Sequence, residues 1–293
     1  MMIHEYKKNN KVLLEGVYDF NLDHIFRCGQ GFRWTKEDDG SYTGVVKGKI
    51  LNVLQENDKV YLNNTNLEDF NNIWYKYFGF DIDYSSIKYK LSQIDEHINN
   101  AVDFGCGLRI LDQDEWEMLI TFILSTNNSI NMVKKVIEDL SLKFGDYIGE
   151  YNGNKYYSFP TPQQLSKVSI EELRACKTGF RDKYIKSAAD MLVNNEVDIY
   201  KISNLDTESC ISKLKEFSGV GMKVADCVAM FGMRKRDIFP VDIWVKRFLQ
   251  EFYLDEYMSL PKIRKYSIEK FGGLSSFVQH YLFYYARENS IGK

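Results

Sequence analysis

The 293-residue sequence predicts an α+β fold, an N-terminal antiparallel-sheet lobe followed by an all-helical lobe. Two observations carry this. Between Gly31 and Asn63 short β-rich runs alternate with turn signals, and from Leu111 onward apolar residues recur at helical spacing. The boundary falls near Gly105 to Gly107, giving a sheet domain with helices over 1–105 and a helical domain over 106–293.

The β-rich runs are FRW (32–34), YTGVV (42–46), ILNVL (50–54) and KVYLN (59–63). Asp39-Gly40, Lys47-Gly48 and Asn57-Asp58 separate them, as expected of an antiparallel meander. In the second half Asp112 or Asp114 caps a helix whose Trp116, Leu119, Ile120 and Ile123 share a face. A second helix carries Ile130, Val133, Ile137, Leu140 and Phe144 and stops at Gly145. Ser169 and Glu172 form a capping box at the head of a third. TESCISKLKEF and KVADCVAMFG are a fourth and fifth, and SSFVQHYLFYYARE closes the pattern with Val278, Tyr281, Leu282 and Tyr285 on one face.

Composition is that of an ordinary globular protein: 44% hydrophobic, 27% charged, formal net charge -3. No apolar run is long enough for a membrane span and none near Met1 resembles a signal peptide, so an intracellular location is expected. Five scattered cysteines and four histidines show no ligand spacing, which argues against a disulfide framework and a protein-bound transition metal. The net charge does not advertise nucleic-acid binding. One stretch, MRKRDIFPVDIWVKRF, nevertheless gathers Arg234, Lys235, Arg236, Lys246 and Arg247, either a solvated face or a DNA patch.

The stretch KLKEF-SGVG-MKVADCV reads as helix, two-glycine turn, helix, at about 207–232. Gly219 and Gly221 allow positive φ and close approach, and the free N–H groups of the second helix suit a phosphate. An ordinary αα-hairpin reads the same way. Lys223 is out of place on the first turn, where the helix dipole opposes a cation, unless it is simply solvated. Asp242 alone reads as a helix N-cap.

The combination of GVGMKVADC (219–227) and PVDIW (240–244) resembles the helix-hairpin-helix DNA glycosylase superfamily, and within it the 8-oxoguanine DNA glycosylases. GQGFRW (29–34), LSTNNSI (124–130), GFRDKYI (179–185) and VQHYLFYYAR (278–287) extend the likeness over nearly the whole chain. The resemblance implies a bifunctional enzyme of base-excision repair acting on double-stranded DNA that contains 8-oxoguanine. It implies that Lys223 attacks the sugar C1′ and forms a Schiff base, followed by strand cleavage through β-elimination. An amine attacks only when neutral, and a helix N-terminus and burial both favour that form. By the same likeness Asp242 stabilises the cationic sugar, and Pro240 stiffens its approach.

The implied base pocket uses the Gly29 carbonyl to accept from N7–H, which 8-oxoguanine has and guanine lacks. Gln279 faces the Watson–Crick edge, and Phe283 and Cys227 cover the two ring faces. Asn127, beside Asn128, fills the gap left by a flipped base. Phe180 and Arg181 contact the orphaned partner. Eukaryotic members carry arginine at the position of Met132 and tyrosine at that of Phe180, so weaker partner-base selectivity is expected here. They carry histidine at the position of Trp244, which puts that phosphate contact in doubt. A monomer without redox or nucleotide cofactor and without an iron–sulfur cluster is expected, with a monovalent cation at the hairpin as a further implication. An alkylbase glycosylase, which lacks the lysine, and a non-catalytic hairpin clamp are the competing readings.

Overall fold

The computed structural model describes residues 1–292. Its N-terminal sheet has six antiparallel strands in the order β1-β2-β6-β5-β4-β3. These are β1 (Met2–Tyr6), β2 (Lys11–Glu15), β3 (Trp34–Lys36), β4 (Tyr42–Val46), β5 (Lys49–Glu56) and β6 (Lys59–Asn63). The turns between β4, β5 and β6 fall where the sequence places them: Lys47 and Gly48 both have positive φ, as does Asn57. The strands β1 and β2 have no counterpart in the sequence reading. β1 is an edge strand exposed along nearly its whole length, and β2 is a continuous buried run, so neither shows a period of two.

The helices form as their caps and stripes dictate. Helix α1 (Leu22–Arg27) opens on Asn21. Helices α2 (Tyr84–Ser92) and α3 (Glu96–Phe104) follow, then α4 (Glu115–Ser125), capped by Asp114, whose carboxylate accepts from the Glu117 amide at 2.9 Å. Helix α5 (Ile130–Phe144) is capped by Ser129 and ends at Gly145. The Ser169–Glu172 capping box is formed in both directions. Further along come α6 (Asp182–Val193), α7 (Thr207–Leu214), α8 (Met222–Gly232), α9 (Ile243–Phe252), α10 (Leu260–Phe271) and α11 (Ser275–Glu288).

Two expectations need correction. The second lobe is not all helical: β7 (Tyr147–Tyr151) and β8 (Asn154–Tyr157) form a hairpin around Asn152-Gly153, both at positive φ. It leans on the first sheet, where Arg33 donates to the Tyr157 carbonyl at 2.5 Å. Nor do the two cores part at Gly105 to Gly107. The first core holds Val12 to Phe78 positions together with Leu111, while Tyr84, Leu91, Ile98, Ala101 and Val102 belong to the helical core. Tyr84 stacks edge-on against Phe277 of α11, 5.9 Å between centroids. Helices α2 and α3 precede the glycines but bury their apolar faces on the second lobe, because that is where a complementary apolar surface lies.

Candidate active site

The hairpin joins α7 to α8. Gly219 sits at φ +82, and a Cβ there would lie 2.5 Å from the Tyr184 ring, so only glycine fits on both counts. Gly221 is different: its φ is -88 and a Cβ would meet nothing. The expectation that both glycines serve positive φ therefore holds for Gly219 alone. What Gly221 leaves is open space in front of the α8 N-terminus, which has no side-chain cap.

Lys223 is the second residue of α8 and is partly buried, its Nζ 5.6 Å from the centroid of Phe122. One turn on, Cys227 is buried; its burial pushes the thiol up to about 11, opposed by the positive charge of Lys223. Below Cys227 the helix is anchored by Asp226, fully buried and bidentate to Arg264 of α10 at 2.6 and 2.8 Å.

Asp242 follows buried Pro240 and caps α9, Oδ1 accepting from the Val245 amide at 2.9 Å. Burial pushes its carboxyl up, while the Val245 amide and then the charge of Lys223 pull it down. The carboxylate that caps α9 is thus also one that feels the charge of Lys223. Trp244, on the first turn of α9, lies 5.5 Å from the Arg247 guanidinium.

Gly29 comes from the other lobe, at φ +87. Its loop is held by Gln30, fully buried, which donates to the carbonyls of Ile25 at 3.1 Å and Arg109 at 2.6 Å and accepts from the Leu111 amide at 2.9 Å. A Cβ on Gly29 would meet Phe283 at 3.1 Å, Ile130 at 3.3 Å and Arg287 Nη1 at 3.4 Å. Phe283 is therefore seated against Gly29, and buried Gln279 lies one turn before it on α11. Ile130, read from the sequence only as part of a helix stripe, and Arg287, only as the end of a motif, reach the same spot. Nothing local marks either as part of the site, since contacts between distant segments leave no periodicity.

The α4–α5 connection carries Asn127, exposed at φ +51, and Asn128, whose Nδ2 donates to the Leu124 carbonyl at 3.3 Å. Arg181 is buried and donates to the carbonyls of Thr126, Thr178 and Asn127, the last at 3.3 Å. In this arrangement it braces the Asn127 tip. Phe180 stands out at 57% exposure over the Arg181 guanidinium, 4.4 Å away, and Met132 is 40% exposed on the first turn of α5. The basic stretch is largely consumed internally: Arg234 pairs with Asp81 and Asp112, Lys235 donates to the Ser203 carbonyl, and Arg236 to that of Met230. Its reading as a DNA patch thus narrows to Lys246 and Arg247 on α9.

Residues 12–119 match the model of the 8-oxoguanine DNA glycosylase N-terminal domain, and residues 120–271 that of the HhH-GPD superfamily of base excision DNA repair proteins. The chain belongs to the 8-oxoguanine DNA glycosylase family. Among relatives of this family it is 30% identical to a probable N-glycosylase/DNA lyase of Methanothermobacter thermautotrophicus, over 67% of the chain and 69% of the relative. It is also 30% identical to an N-glycosylase/DNA lyase of Saccharomyces cerevisiae, over 79% and 68%. In structure it is similar to the Clostridium acetobutylicum 8-oxoguanine glycosylase/lyase bound to double-stranded DNA with cytosine opposite the lesion. That likeness has a TM-score of 0.96 at 44% identity and covers 99% of each chain. Among the described residues no group of three or more His, Cys, Asp or Glu side chains could hold a metal ion, and no helix is long and apolar enough to cross a membrane.

Proposed function

We propose that this protein is a bifunctional glycosylase and lyase of base-excision repair that removes 8-oxoguanine from double-stranded DNA. The observation that carries the reading is that the half-buried cap carboxylate of Asp242 feels the charges both of Lys223, on an uncapped helix N-terminus, and of Arg287, which stands with Phe283 against Gly29.

The target nucleotide leaves the duplex, and Asn127 enters the space it vacates while Phe180 wedges against the partner base. In the pocket the Gly29 carbonyl accepts from N7–H. Guanine would present a lone pair there, an unpaired contact costing about 1 to 3 kcal/mol. As the bond from C1′ to N9 breaks, positive charge grows on the sugar and the Asp242 carboxylate opposes it at close range. The Lys223 amine forms the new bond at C1′, and its proton goes to the departing base or to Asp242. Loss of ring oxygen from C1′ gives the Schiff base. Abstraction of a C2′ proton then expels the 3′ phosphate, and water releases the lysine. A phosphate of the strand lies on the open α8 N-terminus at Gly221. A monovalent cation would be held by backbone carbonyls of the 217–221 turn, where it would offset phosphate charge; the chemistry needs no redox or nucleotide cofactor. The protein acts inside the cell, as a monomer. A non-catalytic DNA clamp would need neither Lys223 nor Asp242.

The test is a borohydride trap on duplex DNA carrying 8-oxoguanine. The wild-type protein gives a covalent adduct and Lys223→Gln gives none. Tight binding with no adduct in the wild type would return the protein to monofunctional excision or to a clamp.

A further inference from the structure

Resting on the base-pocket reading above, we propose that Arg287 reads the 8-oxo group itself by donating a hydrogen bond from Nη1 to the C8 carbonyl oxygen of the flipped base. The guanidinium is tied down on two of its three nitrogens. Nε and Nη2 donate to Glu288 at 3.0 and 2.8 Å, and Nη2 also donates to the Arg27 carbonyl at 2.5 Å. The third, Nη1, is buried without a hydrogen-bond partner. A buried guanidinium N–H left unpaired is costly, and such groups call for an acceptor that arrives later. Nη1 lies 3.4 Å from the position of a Gly29 Cβ, on the wall of the base pocket, with the guanidinium 5.2 Å from the Phe283 ring.

Direction along α11 selects the atom. Gln279, Phe283 and Arg287 are spaced by four and share a face, so the glutamine and the arginine stand about 12 Å apart along the axis with the ring between them. A purine whose Watson–Crick edge meets Gln279 and whose face lies on Phe283 turns its imidazole edge toward Arg287. On that edge N7–H goes to the Gly29 carbonyl and the neighbouring oxygen is the one at C8. O6 sits on the Watson–Crick side. Guanine carries only C8–H there, so it leaves Nη1 unpaired. Gly29 and Arg287 together would then test the two atoms that oxidation changes, one as acceptor and one as donor.

Binding is measured in the Lys223→Gln background, where the base stays attached, on three duplexes: 8-oxoguanine, guanine and a tetrahydrofuran abasic analogue. Arg287→Met removes the donors at similar length and should weaken the 8-oxoguanine complex roughly ten- to a hundredfold, with the guanine and abasic complexes unchanged. Arg287→Lys, which keeps a charge but not the fork, should fall between the two. Thermal unfolding of each variant is followed alongside, and any loss of folded protein is corrected for by the abasic duplex. An equal loss on all three duplexes, or a fall in salt dependence shared by all three, makes Arg287 a structural or phosphate contact and overturns the proposal. If the parent with Arg287 intact shows no preference for 8-oxoguanine over guanine, the base-pocket reading itself fails.

Discussion

Replacing Asp242 by asparagine separates its two roles. The wild-type carboxylate caps α9 through a 2.9 Å bond from the Val245 amide and feels the charge of Lys223 from a half-buried position. Asparagine caps a helix about as well as aspartate, so the cap bond survives and stability should change by about 0.5 kcal/mol or less. Losing a buried carboxyl that burial already disfavours does not add to that cost. The rate has no such substitute. Removing one preorganised group that opposes developing charge costs about 3 to 4 kcal/mol, a hundred- to a thousandfold in the chemical step. Asp242→Ala should show the same rate loss and, in addition, lose about 1 kcal/mol of stability with the cap. Single-turnover excision under saturating enzyme measures the first quantity and urea unfolding the second. The carboxyl is pushed up in the folded protein, so wild-type excision should fall as pH drops through that raised pKa, and the asparagine variant should be flat over the same range. An asparagine variant within about tenfold of the wild-type rate, or a rate loss matched by its loss of stability, would confine Asp242 to the cap and refute the electrostatic argument.

At the hairpin, Gly219→Ala should cost at least about 1 to 2 kcal/mol of stability from its positive φ and the Tyr184 contact, whereas Gly221→Ala should leave unfolding unchanged and weaken DNA binding; equal melting curves for the two would contradict the geometry. Burial pushes the Glu117 carboxyl up to about 7, against the charge of Arg33, so its contribution to stability is full below about pH 4.5 and is lost as pH rises to 7. Glu117→Gln removes that slope, worth about 3 kcal/mol, from the difference between the two unfolding profiles. Buried His280, pushed down to about 3, imposes the opposite slope below 6.5 on both proteins and cancels in the difference. Met132 is exposed and offers no donor, so Met132→Arg should raise the preference for cytosine opposite the lesion severalfold; identical excision profiles across the four partner bases would remove the basis for that.

How far the sequence could be read follows from the range of the forces involved. Helices α4 and α5 were legible because a stripe of apolar residues and a capping side chain lie within a few turns of one another, and α8 and α11, which have no side-chain cap, by the stripe alone. Strand β1 was not, since an exposed edge has no alternation to display, and the hairpin of β7 and β8 was hidden by its brevity, although Asn152-Gly153 is a turn signal. The catalytic candidates came from short motifs, and in the fold the charges of Lys223 and Asp242 both act on the Cys227 thiol. Arg287 and Ile130 escaped because their significance lies in contact with Gly29, a property of the closed fold. Arg181, which the likeness sets at the orphaned base, also holds the carbonyls of Thr126 and Asn127, a bracing role that a motif cannot express.

The pocket is closed by the two ends of a long loop of chain. Cys28 meets His280 across 252 positions, and Arg287 donates to the carbonyl of Arg27 across 260. During synthesis at about 5 to 20 residues per second, the loop of Gly29 waits many seconds for the helix that completes it. A chain still being made can hold both Lys223 and Asp242, and even touch DNA through its hairpin, without a place for the base to go. Excision of a base, unlike attack on a site already without one, therefore waits until α11 has docked against the Gly29 loop.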